Sequence, residues 1–499
     1  MKHGFLRALT LTLAALLLLS LSVPLASCSS KNPADADETS SANDAASPQP
    51  QADASGVPGA GAEEEDDTAE PPLDDGLGNP DLGGYDFRIL SCYFNDLDTW
   101  RYLLFDEITG TPLNDQLYQT KDNLENRFNI KFSMIEPGDD GAAQGAFIQS
   151  VTGGDDAFDM HIGKDWRTCE LGIKGYCYNL FDIDPFDFEK PWWPDETVRQ
   201  LSVGKKMFAA SNYASYCGIH WTRVMVMNKD LLANLQIDLP YETVREGRWT
   251  LDELYRVTNG ISVDENGNGQ CDRDDTLALV GYDHTYYCIQ EAAAVSAYAR
   301  DENNVPFLNL DVERIDGFVG KMRALLTGND YLEADTALFA DGKTVFSFCE
   351  IRDAYNIYRN SDVRYGFLPQ PKYDELQEKY IACCTDTPWA LPKTLAPAQE
   401  EIVGTVLEAM SCYNYVNMLP VYLESTLKSR LADEPDDAEM LSIIADNRTI
   451  SFAYSFGKLT YNNLISDCVF ASFETASYLK RSERMAAKTL EKTLSKFLD

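Results

Sequence analysis

A break in composition after Gly84 constrains this chain more than any other feature of its sequence. Residues 29–84 are mainly Ala, Pro, Ser, Gly, Asp and Glu, with 14 acidic side chains against one base, Lys31. The most acidic point is Glu63-Glu64-Glu65-Asp66-Asp67. So few apolar side chains cannot bury enough surface to offset the entropy of ordering the backbone. Like charges also repel, so the stretch reads as an extended, disordered tether. What can fold is residues 85–499, about 415 residues, too long for one ordinary core and enough for two lobes.

Ahead of the tether, Lys2 and Arg7 precede an uncharged apolar run over residues 8–23. That pattern is a secretory signal, and the run is short for a bilayer core of roughly 30 Å. It closes on Leu25-Ala26-Ser27-Cys28, which resembles the lipobox of bacterial lipoproteins. The resemblance implies removal of residues 1–27 and a diacylated Cys28 at the mature N-terminus, with 28–84 as lipidated cysteine and linker. Two or three acyl chains hold a membrane firmly where one does not. The expected location is extracytoplasmic, on the cell membrane of a Gram-positive-type surface. The net charge of −38 becomes −40 when Lys2 and Arg7 leave, which disfavours nucleic acid and anionic lipid as partners. Membrane contact is then through the lipid anchor only. The eleven cysteines other than Cys28 are an odd, scattered set and no disulfide framework, although one bridge between Cys169 and Cys177 stays open. Four histidines without Cys/His spacing give no zinc site.

Beyond the tether the hydrophobic period alternates between 2 and 3.6. Tyr85-Asp86-Phe87-Arg88-Ile89-Leu90 reads as a strand, 114–128 as a helix with Leu117, Leu124 and Phe128 on one face, and 130–134 as a strand. A helix over 142–151 and a strand over 158–162 follow. Strand, helix, strand, helix, strand marks an α/β fold with a parallel sheet. Ligands of such sheets sit beyond the carboxyl ends of the strands, here the loops starting near Ser91 and Gly163.

Further on come Met227-Asn228-Lys229-Asp230-Leu231, then Leu239-Pro240-Tyr241, then Gly247-Arg248-Trp249-Thr250-Leu251-Asp252-Glu253. Thr250 with Glu253 reads on its own as a capping box. Phe339-Ala340-Asp341-Gly342-Lys343-Thr344-Val345-Phe346 and Gly366-Phe367-Leu368-Pro369-Gln370-Pro371-Lys372-Tyr373 complete the series. In order and spacing these motifs resemble the family 1 extracellular solute-binding proteins, and Leu407-Glu408-Ala409-Met410, Tyr422-Leu423 and Glu439-Met440-Leu441 resemble the C-terminal helices of the clostridial branch. The resemblance implies a two-lobed periplasmic-binding-protein-like fold of type II. Its discontinuous lobes are expected at about 85–208 with part of 385–430, and at about 213–382 with the C-terminal helices. Crossover strands are expected near 208–213 and 382–391. It further implies a monomeric capture subunit that closes on a sugar or oligosaccharide and delivers it to ABC permease subunits without chemistry.

Asp264-Glu265-Asn266-Gly267-Asn268-Gly269-Gln270-Cys271-Asp272-Arg273-Asp274-Asp275 has calcium-loop spacing. Oxygen donors stand at positions 1, 3 and 5 (Asp264, Asn266, Asn268), the Gln270 carbonyl at 7, Asp272 at 9 and Asp275 at 12, with Gly269 turning the chain. Two asparagines and a short Asp275 predict modest affinity for a structural Ca2+, and a plain Asn-Gly turn is the alternative. A sugar needs aromatic faces for its C–H groups and fixed polar partners for its hydroxyls. The loop and crossover candidates are Tyr93, Asn95, Asp165, Trp166, Asn212, Tyr213, Trp221, Arg352, Asp386 and Trp389. Trp192 and Trp193, bracketed by prolines, read either as cleft walls or as a loop packed on the core. The rival functions are a sensing lipoprotein, which uses the same closure, and a glycoside hydrolase. No nucleophile elbow, phosphate loop or metalloprotease helix occurs.

Overall fold

The computed structural model describes residues 74–498 apart from 95, 96, 271, 282–285, 329, 335, 386, 428–434 and 458. The signal segment, Cys28, the tether up to 73, Asn95 and Asp386 therefore lie outside the described residues.

The predicted alternation is realised almost residue for residue. β1 (Tyr85–Leu90), α1 (Pro112–Phe128), β2 (Ile130–Ile135), α2 (Asp140–Gly153) and β3 (Met160–Ile162) lead into α3 (Asp165–Ile173) and α4 (Asp195–Leu201). Asn129 ends α1 in the left-handed region at φ 51°, and the Asp139 carboxylate accepts the Ala142 N–H to cap α2. The second half has β4 (Arg223–Asn228), β5 (Leu277–Gly281), α5 (Tyr286–Ala292) and a hairpin, β6 (Tyr298–Arg300) with β7 (Pro306–Leu308). After these come α6 (Val312–Leu326), β8 (Tyr331–Glu333), β9 (Thr344–Glu350), α7 (Ile351–Asn356) and β10 (Tyr365–Leu368). The chain then returns through β11 (Ala382–Cys384), β12 (Trp389–Ala390) and α8 (Pro397–Tyr413). It finishes with α9 (Pro435–Asp446), β13 (Arg448–Ile450), α10 (Phe452–Ser455) and α11 (Thr475–Leu498).

Two sheets result. The first has the order β12-β3-β1-β2, with β1 parallel to both β2 and β3 and the late strand β12 antiparallel to β3. The second, β8-β5-β9-β4-β10, is mixed, because β4 runs antiparallel to β9 and β10. Each sheet carries its own hydrophobic core. Phe87, Phe147, Met160 and Trp389 belong to the first; Val224, Trp249, Phe346 and Phe367 to the second. Between them, residues 208–222 meet 382–391. Ala210 and Trp389 exchange backbone hydrogen bonds at 2.9 Å in both directions, Thr222 bridges Cys384, and β11 pairs in parallel with β13.

The packed body begins before Tyr85. The Asp75 carboxylate pairs with Arg127 at 2.6 Å, and the Leu82 and Gly84 N–H groups donate to the carbonyls of Phe128 and Asn129. The last ten residues assigned to the tether thus lie on the C-terminus of α1, where the buried Asp75 carboxylate finds a half-buried guanidinium partner. Trp192 and Trp193 are core residues, 0% and 1% exposed, with both indole N–H groups donating at 2.8 Å to the two oxygens of Glu408. The ten described cysteines are all free and buried, so Cys169 and Cys177 form no bridge.

The recurring motifs have local physical reasons. Asn228 ends β4 and caps the next turn, its side-chain oxygen accepting the N–H groups of Asp230 and Leu231 at 3.1 Å. Lys229, buried, pairs with Asp437 at 2.8 Å while the Tyr241 hydroxyl donates to the same carboxylate, which pins α9 to the sheet. Trp249 is fully buried and donates to the Pro369 carbonyl at 3.0 Å, and Leu251 donates to Lys372. The Trp-Thr and Pro-Lys-Tyr motifs are therefore one packed unit.

Candidate functional site

Charged side chains collect where the carboxyl ends of the two sheets approach each other. β9 ends on Glu350 and the antiparallel β4 begins on Arg223, so the two residues are register partners on neighbouring strands. The Arg223 guanidinium pairs with one Glu350 oxygen and the Arg352 guanidinium with the other. Arg223 also donates to the Trp221 carbonyl at 3.0 Å and to the Thr385 hydroxyl at 3.4 Å. Glu350 and Arg223 are almost fully buried, whereas the Arg352 side chain is 30% exposed. Arg352 lies over the Trp221 ring at 4.0 Å, a cation–π contact. The N–H of Glu350 donates to Asp353, whose carboxyl is pushed up to about 6 by burial and then by the Glu350 charge.

The first core contributes Asp165 at the start of α3, just past β3 and 1% exposed. Its charge helps raise the phenols of Tyr287 and Tyr454, after burial, and Arg223 opposes it at both. Those two tyrosines stack at 4.3 Å with an interplanar angle of 2°. Behind Trp221, His220 is buried among Tyr102, Tyr216, Tyr355 and Tyr422, its Nδ1 2.8 Å from the Tyr422 hydroxyl. Burial first, and Arg352 second, hold that imidazole down to about 3, so it stays neutral.

Of the sequence candidates, Trp221 and Arg352 come together, and Asp165 acts on the same two tyrosines as Arg223. Asn212 and Trp389 also meet, but inside the first core: the Trp389 indole donates to the Asn212 side-chain oxygen at 3.1 Å, and Asn212 donates to Ser411 at 2.9 Å. Tyr213 is buried under the Arg448 guanidinium at 5.0 Å. Trp166 carries Arg167 over its ring at 4.5 Å, and Tyr93 is 52% exposed on the loop after β1. Arg223 and Glu350 escaped sequence reading. Their signal was a charge at the end of an otherwise uncharged and fully buried strand, where it needs a partner.

The calcium-type loop folds around its own backbone. Asp264 accepts from Gly267, Asn268 and Gly269, and Asp275 accepts from Glu265 and Asp272. The Asp272 carboxylate lies 2.7 Å from the Asn268 amide and 3.3 Å from that of Asn266, which draws positions 3, 5 and 9 together. Gly269 takes φ 74° at the turn. A hollow of about 380 Å³ beside the loop is lined by Asp264, Gly269, Gln270, Asp275 and Asp330. Among the described residues no three His, Cys, Asp or Glu side chains converge as a metal cluster. An all-oxygen set that counts two amides and a carbonyl suits a hard cation nonetheless.

No protein-family model and no curated protein sequence matches this chain. Solved structures do match in shape. A cyclic α-maltosyl-1,6-maltose binding protein from Arthrobacter globiformis aligns over 82% of this chain and 99% of its own, at TM-score 0.57 and 12% identity. A cyclo/maltodextrin-binding protein complexed with maltotetraose aligns over 84% and 98%, at 0.52 and 14%. An ABC substrate-binding protein from Listeria monocytogenes in complex with cycloalternan aligns over 82% and 99%, at 0.50 and 11%. Nearly the whole of each of these proteins is covered, and the chain accordingly has the two-lobed α/β fold of type II periplasmic binding proteins.

Proposed function

We propose that this protein is the extracytoplasmic, lipid-anchored capture subunit of an ABC importer, closing its lobes on a neutral sugar or oligosaccharide and passing it unaltered to permease subunits. The observation that carries the reading is the ion-paired Arg223–Glu350–Arg352 cluster beside Trp221 at the end of β9, with Asp165, just past β3 in the other lobe, acting on the same two tyrosines as Arg223. An aromatic ring beside self-compensated charges offers stacking and hydrogen bonds without a net charge to match, which suits a polyhydroxyl ligand. The saccharides named in the structural neighbours favour the same class. Tyr93 and Trp166 remain candidates for outer contacts, and Cys28 for the acylated anchor. Asp264, Asn266, Asn268, Gln270, Asp272 and Asp275 would hold a structural Ca2+ in the second lobe.

A calorimetric and thermal-shift screen of mono- to pentasaccharides tests the ligand class. A bound sugar is expected to raise the melting temperature by mass action and to be recovered intact. Arg352→Ala is expected to weaken binding at least tenfold while changing the melting temperature of the free protein little. Heat from peptides or polyamines with none from any sugar would defeat the saccharide reading, and a shortened sugar would favour a hydrolase.

A further inference from the structure

A pocket of about 240 Å³ separates the two cores beside the hinge strands. One wall is α4, with Glu196 and Arg199; the opposite wall is the end of α5, with Glu291, and the β6–β7 hairpin; Thr449 and Phe452 of the hinge segment close it. The hairpin reaches across to the first core. Arg300 donates to the Ser202 and Gln200 carbonyls, both at 2.8 Å, and the Asn304 amide to the Arg199 carbonyl at 3.1 Å and the Ser202 hydroxyl at 2.9 Å. These carbonyls terminate α4, where a cation is favoured.

Inside the pocket a second contact crosses the gap. The Ser451 hydroxyl donates to Glu291 Oε1 at 2.7 Å. Ser451 lies between Ile450 and Phe452, both members of the first core, while Glu291 follows Ile289 of the second. The other charges facing Glu291 are Glu196 and Arg199 of α4, paired with each other at 2.7 Å, and Arg300 of the hairpin, committed to backbone carbonyls. The hinge contributes only the uncharged Thr449 and Ser451.

We propose that this pocket is a proton-linked latch: Glu291 takes up a proton as the lobes close over it and releases it as they part. The inference rests on the lobe-closure reading above. In the present arrangement burial, reinforced by Glu196 and opposed by Ser451 and Arg199, pushes the Glu291 carboxyl up to about 7 from its ordinary 4.5. Opening hydrates the partly buried carboxyl fully and returns the group toward the ordinary value. Closure is therefore unpenalised below about 4.5, loses ground as pH rises toward about 7, and is constant above that.

The test uses the ligand-free full chain with a dye pair carried by unnatural amino acids at the exposed positions Lys131 and Asn259, one on each lobe, read by single-molecule energy transfer between pH 4.5 and 8.5. The closed-to-open ratio is expected to rise on acidification, by up to about tenfold per pH unit at its steepest for one linked proton. Glu291→Gln is expected to be closed and flat across the range. A wild type without pH response, or a Glu291→Gln protein that follows it, overturns the proposal. Arg300→Ala combined with Asn304→Ala releases the hairpin and is expected to lower the closed fraction. If that variant opens while pH does nothing, only the proton link falls; if neither changes the lobe separation, lobe closure itself falls with it.

Discussion

At the scale of single residues, buried charge decides most. Glu408 holds two indole N–H groups inside the first core, and burial pushes its carboxyl up to about 7 in spite of them. A carboxyl raised above its ordinary 4.5 gives stability that is complete below that value and is lost as pH rises through about 7. Urea unfolding of the wild type should thus show lower stability at pH 8 than at pH 5. Glu408→Gln should flatten that slope, and at pH 5 it should cost about 1–3 kcal/mol, because the amide offers one acceptor where two indoles need acceptors. Lys229→Met strands the Asp437 carboxylate in the second core and should cost about 3–5 kcal/mol in the same assay, with Asp437→Asn on that background recovering part of it. These partners were not legible in the sequence. Glu408 was only part of a helical motif and Lys229 part of a strand-end motif, and neither periodicity nor spacing says which distant residue will neutralise a charge.

At the scale of elements, legibility followed length and locality. The five elements from Tyr85 to Ile162 have strong periods and local caps, and their structural boundaries differ from the sequence reading by a few residues at most. The antiparallel strand β12 was expected only through the family resemblance, as a crossover strand near 382–391, since two residues carry no period and its partner β3 is more than two hundred positions earlier. Of the ligand candidates, Asn212 and Trp389 were chosen as polar and aromatic crossover residues, yet each satisfies the other within the core. The loop over 264–275 shows the opposite case, a spacing that fixes its own turn. A Ca2+ ion held there, as proposed, would bind the folded state alone, so EDTA should lower the melting temperature and added Ca2+ should restore it. Asp264→Asn should reduce the EDTA effect; melting that ignores both chelator and Ca2+ would leave the loop a plain turn.

At the scale of the whole molecule, long helices tie the cores together. α1 gives Leu113 and Leu117 to the second core and Leu124 and Phe128 to the first. α11 does so in the same sense, with Tyr478, Leu479 and Ala486 in the second core and Leu490, Leu494 and Phe497 in the first. Phe497 packs on Phe208 at 4.7 Å and on Phe456 at 5.5 Å, close to the hinge segments. A continuous helix bonded into both cores restricts lobe motion to a pivot about an axis near the helix and the hinge strands. It also couples their unfolding, because neither core can melt without releasing part of α11. Removing residues 489–499 strips three large apolar side chains from the first core, about 1.5–3 kcal/mol each, and leaves the second core's contacts with α11 in place. Calorimetry of the intact chain should show one cooperative transition, and the truncated chain two, the earlier from the first core. A single transition shifted downward as a whole would mean that the hinge strands and α1 suffice to couple the lobes without the last helix.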